Sequence, residues 1–156
     1  MKYLIKDFEY YLKNEKGSSA NTISSYLHDL SQYQLFLEKY HDIKKPREIE
    51  KKHIDGFLKS MRKHVSAKSV ARKLTAIKSF HHFLSIEKEI DENYAKTIQA
   101  PKVEKSLPKV LSIDEVISIL NVASASKKLG LRNQALLELI YGSGLRVSEL
   151  LDIKME

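Results

Sequence analysis

Apolar residues recur every three or four positions along most of this chain, which is the period of an α-helix with one buried side. The clearest stripe lies in residues 67–85 and consists of Val70, Leu74, Ile77, Phe80 and Leu84. The same period predicts further helices at 2–14, 20–40, 52–63 and 92–99, from Ser112 through Leu120, and at 131–141. No strand of any length is indicated, so the sequence predicts an all-α fold.

A segment between two prolines divides these helices into two groups. Pro101 and Pro108 bracket a charged stretch, and neither proline fits a helix interior. We therefore expect a helical domain at 1–100, a linker at 101–108 and a second segment at 109–156.

Capping signals support the proposed helix ends. Ser66 can cap the helix at 67–85, and Ser112 with Glu115 has the spacing of a capping box. The helix at 131–141 should end at Gly142 or Gly144, with that glycine in the left-handed conformation.

The positive charge is concentrated in the first part of the chain. The formal net charge is +7, and residues 1–105 carry all of this excess. No acidic residue occurs from 56 to 86, where seven cations stand: Lys59, Arg62, Lys63, Lys68, Arg72, Lys73 and Lys78. This distribution favours a polyanionic partner, most simply nucleic acid, although a solvated helix face is the alternative.

A second stripe follows the helix at 67–85, about 200° around from the apolar one. It consists of Lys68, Arg72, Thr75, Ser79 and His82. Cations and hydroxyls along the outer side of a helix suit the DNA major groove. Lys78 and Lys63 are further candidates for DNA contact.

The helix at 20–40 has an outer side that is polar and nearly uncharged. Its candidates for DNA contact are Asn21, Ser25 and His28, because amide, hydroxyl and imidazole groups suit phosphate oxygens and base edges. A hydrated surface is the alternative for each of them.

Several kinds of site are disfavoured by composition. The chain has no cysteine, which excludes disulfides and thiolate metal sites. His81 and His82 have no further ligand at metal-binding spacing, so we expect no metal. No apolar run approaches the ~20 residues of a membrane span, and the first residues do not form a signal peptide. We expect a soluble, cytoplasmic protein without a membrane partner.

The segment from Arg132 to Leu150 strongly resembles the first active-site box of the tyrosine recombinases, or phage-integrase family. Thr22–Leu30 and Ser66–Leu84 resemble the second and fourth helices of that family's core-binding domain. Ala100–Pro108 is similar to the interdomain linker of Xer-type members. The resemblance covers essentially the whole chain.

This resemblance implies a SAM-like core-binding domain of four to five helices, followed by the first helices of a mixed α/β catalytic domain. The two domains would clamp double-stranded DNA. Arg146, at the start of a helix after two glycines, would bind the scissile phosphate, with Glu149 in a supporting role. The alternative for Arg146 is a surface ion pair with Glu149.

The resemblance also implies a tyrosine nucleophile, a 3′-phosphotyrosyl intermediate and no metal or nucleotide cofactor. Full-length members are expected to associate as tetramers on synapsed DNA. This chain lacks the later catalytic boxes, and Tyr141 belongs to the helix that precedes Arg146, so we identify no nucleophile and expect binding without cleavage. A short accessory or antagonist DNA-binding protein and a helical interaction module are the alternatives.

Overall fold

The computed structural model describes residues 1–102, 110–124 and 129–154. Every regular element in these ranges is helical, which confirms the predicted all-α class of the chain as present. The α-helices are α1 (Lys2–Asn14), α2 (Ala20–His41), α3 (Lys51–Met61), α4 (Ala67–Ile86), α5 (Ile113–Ser124), α6 (Gly130–Ser143) and α7 (Val147–Leu151). Two 3₁₀ turns occur at Pro46–Glu48 and Tyr94–Thr97.

The chain divides into two compact units, Met1–Lys105 and Ser106–Glu156. The linker predicted at 101–108 falls mostly on residues 103–109, which lie outside the described ranges, so its conformation stays a prediction. None of the helices in the described ranges combines the length and the apolar character that crossing a membrane requires.

The core of the first unit is built from all four of its long helices. The rings of Phe8 and Phe80 lie 5.4 Å apart between their centroids, and those of Tyr33 and Phe57 lie 5.2 Å apart. The apolar stripe predicted for α4 is wholly buried, as its members show: Val70, Leu74, Ile77, Phe80 and Leu84. One side of α4 is therefore fixed against the core, and its other side carries exposed residues such as Lys68 and Thr75.

Helices α2 and α4 run in the same direction. Their contacts join Ser25 to Arg72, Asp29 to Lys73 and Tyr33 to His81, at sequence separations of 47, 44 and 48. A nearly constant sequence separation means that the residue numbers rise in the same direction along both helices. In an antiparallel pair the separation would change steadily from one contact to the next. The two helices also begin at equivalent positions, each after a serine cap: Ser19 Oγ accepts the Thr22 amide and Ser66 Oγ accepts the Ser69 amide, both at 3.3 Å.

The second unit consists of α5 packed on α6, and α6 on α7. Its predicted capping box is confirmed: the Ser112 amide donates to Glu115 Oε2 at 2.7 Å, and the Glu115 amide donates to Ser112 Oγ at 3.3 Å. Of the two glycines proposed to end α6, Gly144 is the left-handed one, with φ of +66°. Large apolar side chains of this unit stay exposed, among them Ile117, Val122, Leu131, Leu139, Tyr141 and Leu151.

Candidate nucleic-acid interface

The outer side of α4 carries the stripe that the sequence predicts. Lys68, Arg72, Thr75 and His82 are exposed, whereas Ser79 and the neighbouring Lys78 are half-buried. The Thr75 hydroxyl donates to the Ala71 carbonyl at 3.0 Å, so toward a ligand it can only accept.

The polar side of α2 lies next to this stripe. Arg72 Nη1 donates to the Ser25 carbonyl oxygen across 3.3 Å, which joins the two helices directly. Because the helices are parallel, the same separation of 47 puts Asn21 at the level of Lys68 and His28 at the level of Thr75. We call Asn21, Ser25, His28, Lys68, Arg72 and Thr75 together the α2/α4 surface.

A fully buried carboxylate lies beneath this surface. Asp29 is 0% exposed, and its two oxygens are bound by different cations, Oδ1 by Lys73 Nζ at 2.8 Å and Oδ2 by Arg72 Nη1. A buried carboxylate is costly unless it is paired and hydrogen-bonded, so each cation is held firmly. Lys73 is itself buried, whereas 43% of the Arg72 side chain is exposed. The cluster carries one excess positive charge, and its accessible cation is Arg72.

The same cluster orients His28 at the surface. Lys73 Nζ donates to Gln32 Oε1 at 2.6 Å, which turns the amide nitrogen of Gln32 toward His28 Nε2 at 2.9 Å. Since that amide nitrogen can only donate, the neutral imidazole of His28 accepts at Nε2 and carries its proton on Nδ1. His28 therefore offers an N–H donor that is not engaged by Gln32.

Sequence reasoning missed the role of Asp29 and misread that of Lys73. The charge pattern places Lys73 with the cations available to a polyanion, but Lys73 lies in the interior and is bound to Asp29. A signal was present, since Lys73 stands three residues after Val70 and four before Ile77, which is the spacing of the buried stripe. Asp29 stands directly before the buried Leu30.

The remaining candidates lie further away. Lys63 is exposed just beyond the end of α3, and no hydrogen bond or ion pair among the described residues joins it to the α2/α4 surface. His81 is buried, unlike its neighbour His82, and packs against Tyr33. Within the described ranges, no three His, Asp or Glu side chains meet in a way that could hold a metal ion.

Arg146 and Glu149 lie at the start of α7 and bind each other. The Arg146 amide donates to Glu149 Oε2 at 2.8 Å, and Arg146 Nη1 donates to Glu149 Oε1 at 2.8 Å. The hydrogen bonds from the backbone and then the side chain of Arg146 lower the pKa of the Glu149 carboxyl. This is the geometry of the surface ion pair, and it also fixes the arginine at a helix N-terminus, where an anion is favoured. Both residues are exposed.

Comparisons with known proteins show the family to which the chain is related. The family described as "Phage integrase, N-terminal SAM-like domain" matches residues 5–88, which confirms the SAM-like fold expected for the first helices. The chain is 40% identical to tyrosine recombinase XerD of Listeria innocua, and the match covers 100% of this chain and 53% of the relative. It is 36% identical to tyrosine recombinase XerC of Syntrophus aciditrophicus, over 100% of this chain and 53% of the relative. The chain thus spans about half the length of the curated relatives that it matches.

Proposed function

The chain belongs to the tyrosine recombinase, or phage integrase, family, and we propose that it is the DNA-binding part of a site-specific recombinase. In this proposal the helical domain at 1–100 binds one face of a duplex, residues 101–108 link it to the segment at 109–156, and that segment begins the catalytic domain. The whole protein would act in the cytoplasm and would need no cofactor. It would assemble as a tetramer on synapsed DNA, and it would cut and rejoin DNA through a 3′-phosphotyrosyl intermediate.

The α2/α4 surface is the observation that carries this proposal. It combines cations with amide, hydroxyl and imidazole groups on two parallel helices. The inner sides of these two helices are packed in one core. Such a surface can bind phosphates through its cations and base edges through its neutral polar groups. Lys78, Ser79 and His82 would extend the contact along α4, and Lys63 would reach a neighbouring phosphate.

Arg146 has a separate part in the proposal. Bound to Glu149 at the start of α7, it would exchange that carboxylate for the scissile phosphate when the complete catalytic site is assembled. Glu149 would then hold the backbone of Arg146 through the hydrogen bond that its Oε2 accepts from the Arg146 amide. No nucleophile is assigned in this chain, so binding is its proposed activity and cleavage is not.

The first experiment measures duplex affinity as a function of salt. If several phosphates are neutralised, log K falls linearly with log[salt], with a slope of about −0.9 for each phosphate contact. The Lys68→Ala/Lys78→Ala variant should lose up to ~1.8 units of that slope, because it removes two cations from the proposed interface. Lys6→Ala/Lys13→Ala removes the same charge from exposed positions on α1 and should leave the slope nearly unchanged.

Two results would contradict this proposal. Equal loss of slope in both double variants would mean that the net charge of the chain, and not the α2/α4 surface, governs binding. An absence of duplex binding by the wild-type chain at low salt would favour the helical interaction module.

The second experiment tests for cleavage. We expect no covalent protein–DNA adduct when the chain is incubated with nicked suicide duplexes and run on a denaturing gel, because the attacking tyrosine of the family has no assigned counterpart here. A full-length tyrosine recombinase on its own site is the positive control. An adduct formed by this chain would show that it holds a nucleophile after all.

A further inference from the structure

We propose that Arg72 determines sequence specificity: held by Asp29, it presents a fixed pair of N–H donors to O6 and N7 of a guanine in the major groove. This inference rests on the proposed DNA-binding function. It separates Arg72 from Lys68 and Lys78, to which we assign phosphate contacts, and it makes Asp29 a positioning residue that does not itself touch DNA.

The geometry of the guanidinium is the first reason. Arg72 uses Nη1 for both of its protein acceptors, the Ser25 carbonyl oxygen and the Asp29 carboxylate. Among the described residues, no acceptor binds its Nε or Nη2. These two nitrogens form one edge of the planar group, and their hydrogens are parallel, as the two acceptors on the major-groove edge of guanine require.

Rigidity is the second reason. An exposed arginine ordinarily samples many rotamers, and fixing it on binding costs conformational entropy. Here the fully buried Asp29, itself locked by Lys73, has already fixed the plane of the guanidinium. A donor pair that is oriented before binding discriminates between bases more sharply than a mobile one.

The charge of the cluster is the third reason. Asp29 is paired with both Lys73 and Arg72, so the cluster keeps only one of its two positive charges in excess, while the directional donors on the free edge of Arg72 stay available. The neighbours of Arg72 on the surface include Ser25, Thr75 and His28, whose polar groups suit base edges, beside the single cation Lys68. An arginine used only to neutralise phosphate would not need a buried carboxylate beneath it.

The experiment begins with selection of duplexes from a random library by the wild-type 156-residue chain. We expect the selected duplexes to share a G·C pair at one position. Replacing that pair by any other base pair should weaken binding about 5- to 150-fold, which is the discrimination that one bidentate contact provides. Arg72→Lys keeps the charge and loses the planar fork, so it should lose the preference at that pair alone. Its salt slope and its preferences elsewhere should stay unchanged, and circular dichroism would verify its fold.

A modified base makes the test atom-specific. Replacing the selected guanine by 7-deazaguanine removes the N7 acceptor, which should weaken wild-type binding and leave Arg72→Lys binding unaffected. If the modified base weakens both proteins equally, or if Arg72→Lys keeps the guanine preference, Arg72 does not read that base and the inference is wrong. Salt-dependent binding of the wild type with no base preference at all would overturn it too.

Asp29→Asn tests the positioning role. It keeps the shape of the side chain but raises the net charge by one, so affinity for a random-sequence duplex should rise or stay constant while guanine discrimination falls. A parallel loss of specific and non-specific affinity would show that Asp29 acts only in folding. If this variant does not fold, Arg72→Lys and the modified base still decide the role of Arg72. Failure of the wild type to bind any duplex is a different result, because it removes the proposed function itself.

Discussion

His81 is a histidine that has the environment of a core residue. It is 1% exposed, its Nε2 lies 3.4 Å from the Tyr33 hydroxyl, and its Nδ1 has no hydrogen-bond partner among the described residues. Burial disfavours the charged ring and lowers the pKa of His81 from the ordinary 6.5 to about 4. Burial also raises the pKa of Tyr33, so its hydroxyl remains a neutral partner.

This burial predicts a stability that depends on pH. Between about pH 6.5 and pH 4 the unfolded chain binds a proton at His81 that the folded chain does not, so the free energy of unfolding falls as pH falls through this window. It should be lower at pH 5 than at pH 7 by about 2 kcal/mol from this residue alone. Urea unfolding at both values measures it.

His81→Phe should remove this part of the pH dependence, while His64→Gln at an exposed position should retain it. Burial also lowers the pKa of His53, so in every variant this residue still makes the free energy of unfolding fall as pH falls. An unchanged difference between pH 7 and pH 5 in His81→Phe would refute the assignment.

The pair formed by Asp29 and Lys73 shows where prediction from sequence reaches its limit at this scale. The stripes of α4 could be predicted because helical periodicity is local and each stripe repeats over several turns. Whether Lys73 faces water or the interior depends on a carboxylate 44 positions earlier, on another helix. The outer residues of the candidate interface were thus predictable, but the charge relations beneath them were not.

At the scale of elements, the end of α6 depends on one backbone conformation. Gly144 has φ of +66°, whereas Gly142 lies inside the helix, and a Cβ at either position would meet no atom within 4 Å. Gly144→Ala should therefore cost about 1 kcal/mol through backbone strain alone. Gly142→Ala should be neutral or stabilising by up to ~1 kcal/mol, because alanine favours the helix.

Amide hydrogen exchange measures this difference locally. The Gly144 amide donates to the Ile140 carbonyl at 2.9 Å, so strain at position 144 should speed exchange of this amide. Gly142→Ala should slow it or leave it unchanged. Equal effects of the two substitutions would mean that the left-handed conformation does not hold the end of α6.

One element is shorter than its sequence pattern suggests. Residues 92–99 were predicted to be a helix, but only Tyr94–Thr97 is regular, as a 3₁₀ turn. The Asn93 side chain accepts the Lys96 amide at 3.3 Å, which favours a tight turn. Ala95 and Ile98 are buried against the core and hold the segment there.

At the scale of the whole molecule, the two units differ in how completely they bury their apolar side chains. The buried cluster of the first unit is formed entirely by residues between Leu4 and Ile98. A fragment of residues 1–102 should therefore fold and unfold cooperatively, and it should bind less of the hydrophobic dye ANS than the full chain does. The full chain should bind ANS under native conditions, because apolar side chains of α5, α6 and α7 are exposed.

Dye binding and light scattering over a range of protein concentrations measure this difference. Self-association of the full chain would reduce its dye binding as the protein concentration rises, whereas the weaker dye binding of the fragment should not depend on concentration. A compact full-length monomer that does not bind the dye would contradict the prediction.

The matched starts of α2 and α4 bear on how fast the first unit meets its partner. Each helix N-terminus carries about half a positive charge from the aligned peptide dipoles, and both lie at the same end of the pair, beside Lys68. A molecule with such a one-sided field turns toward a polyanion while it is still diffusing, so fewer collisions occur in unproductive orientations. The arrangement therefore acts on the rate at which the protein and the polyanion associate. Lowering the ionic strength should raise the association rate constant by a larger factor than it lowers the dissociation rate constant.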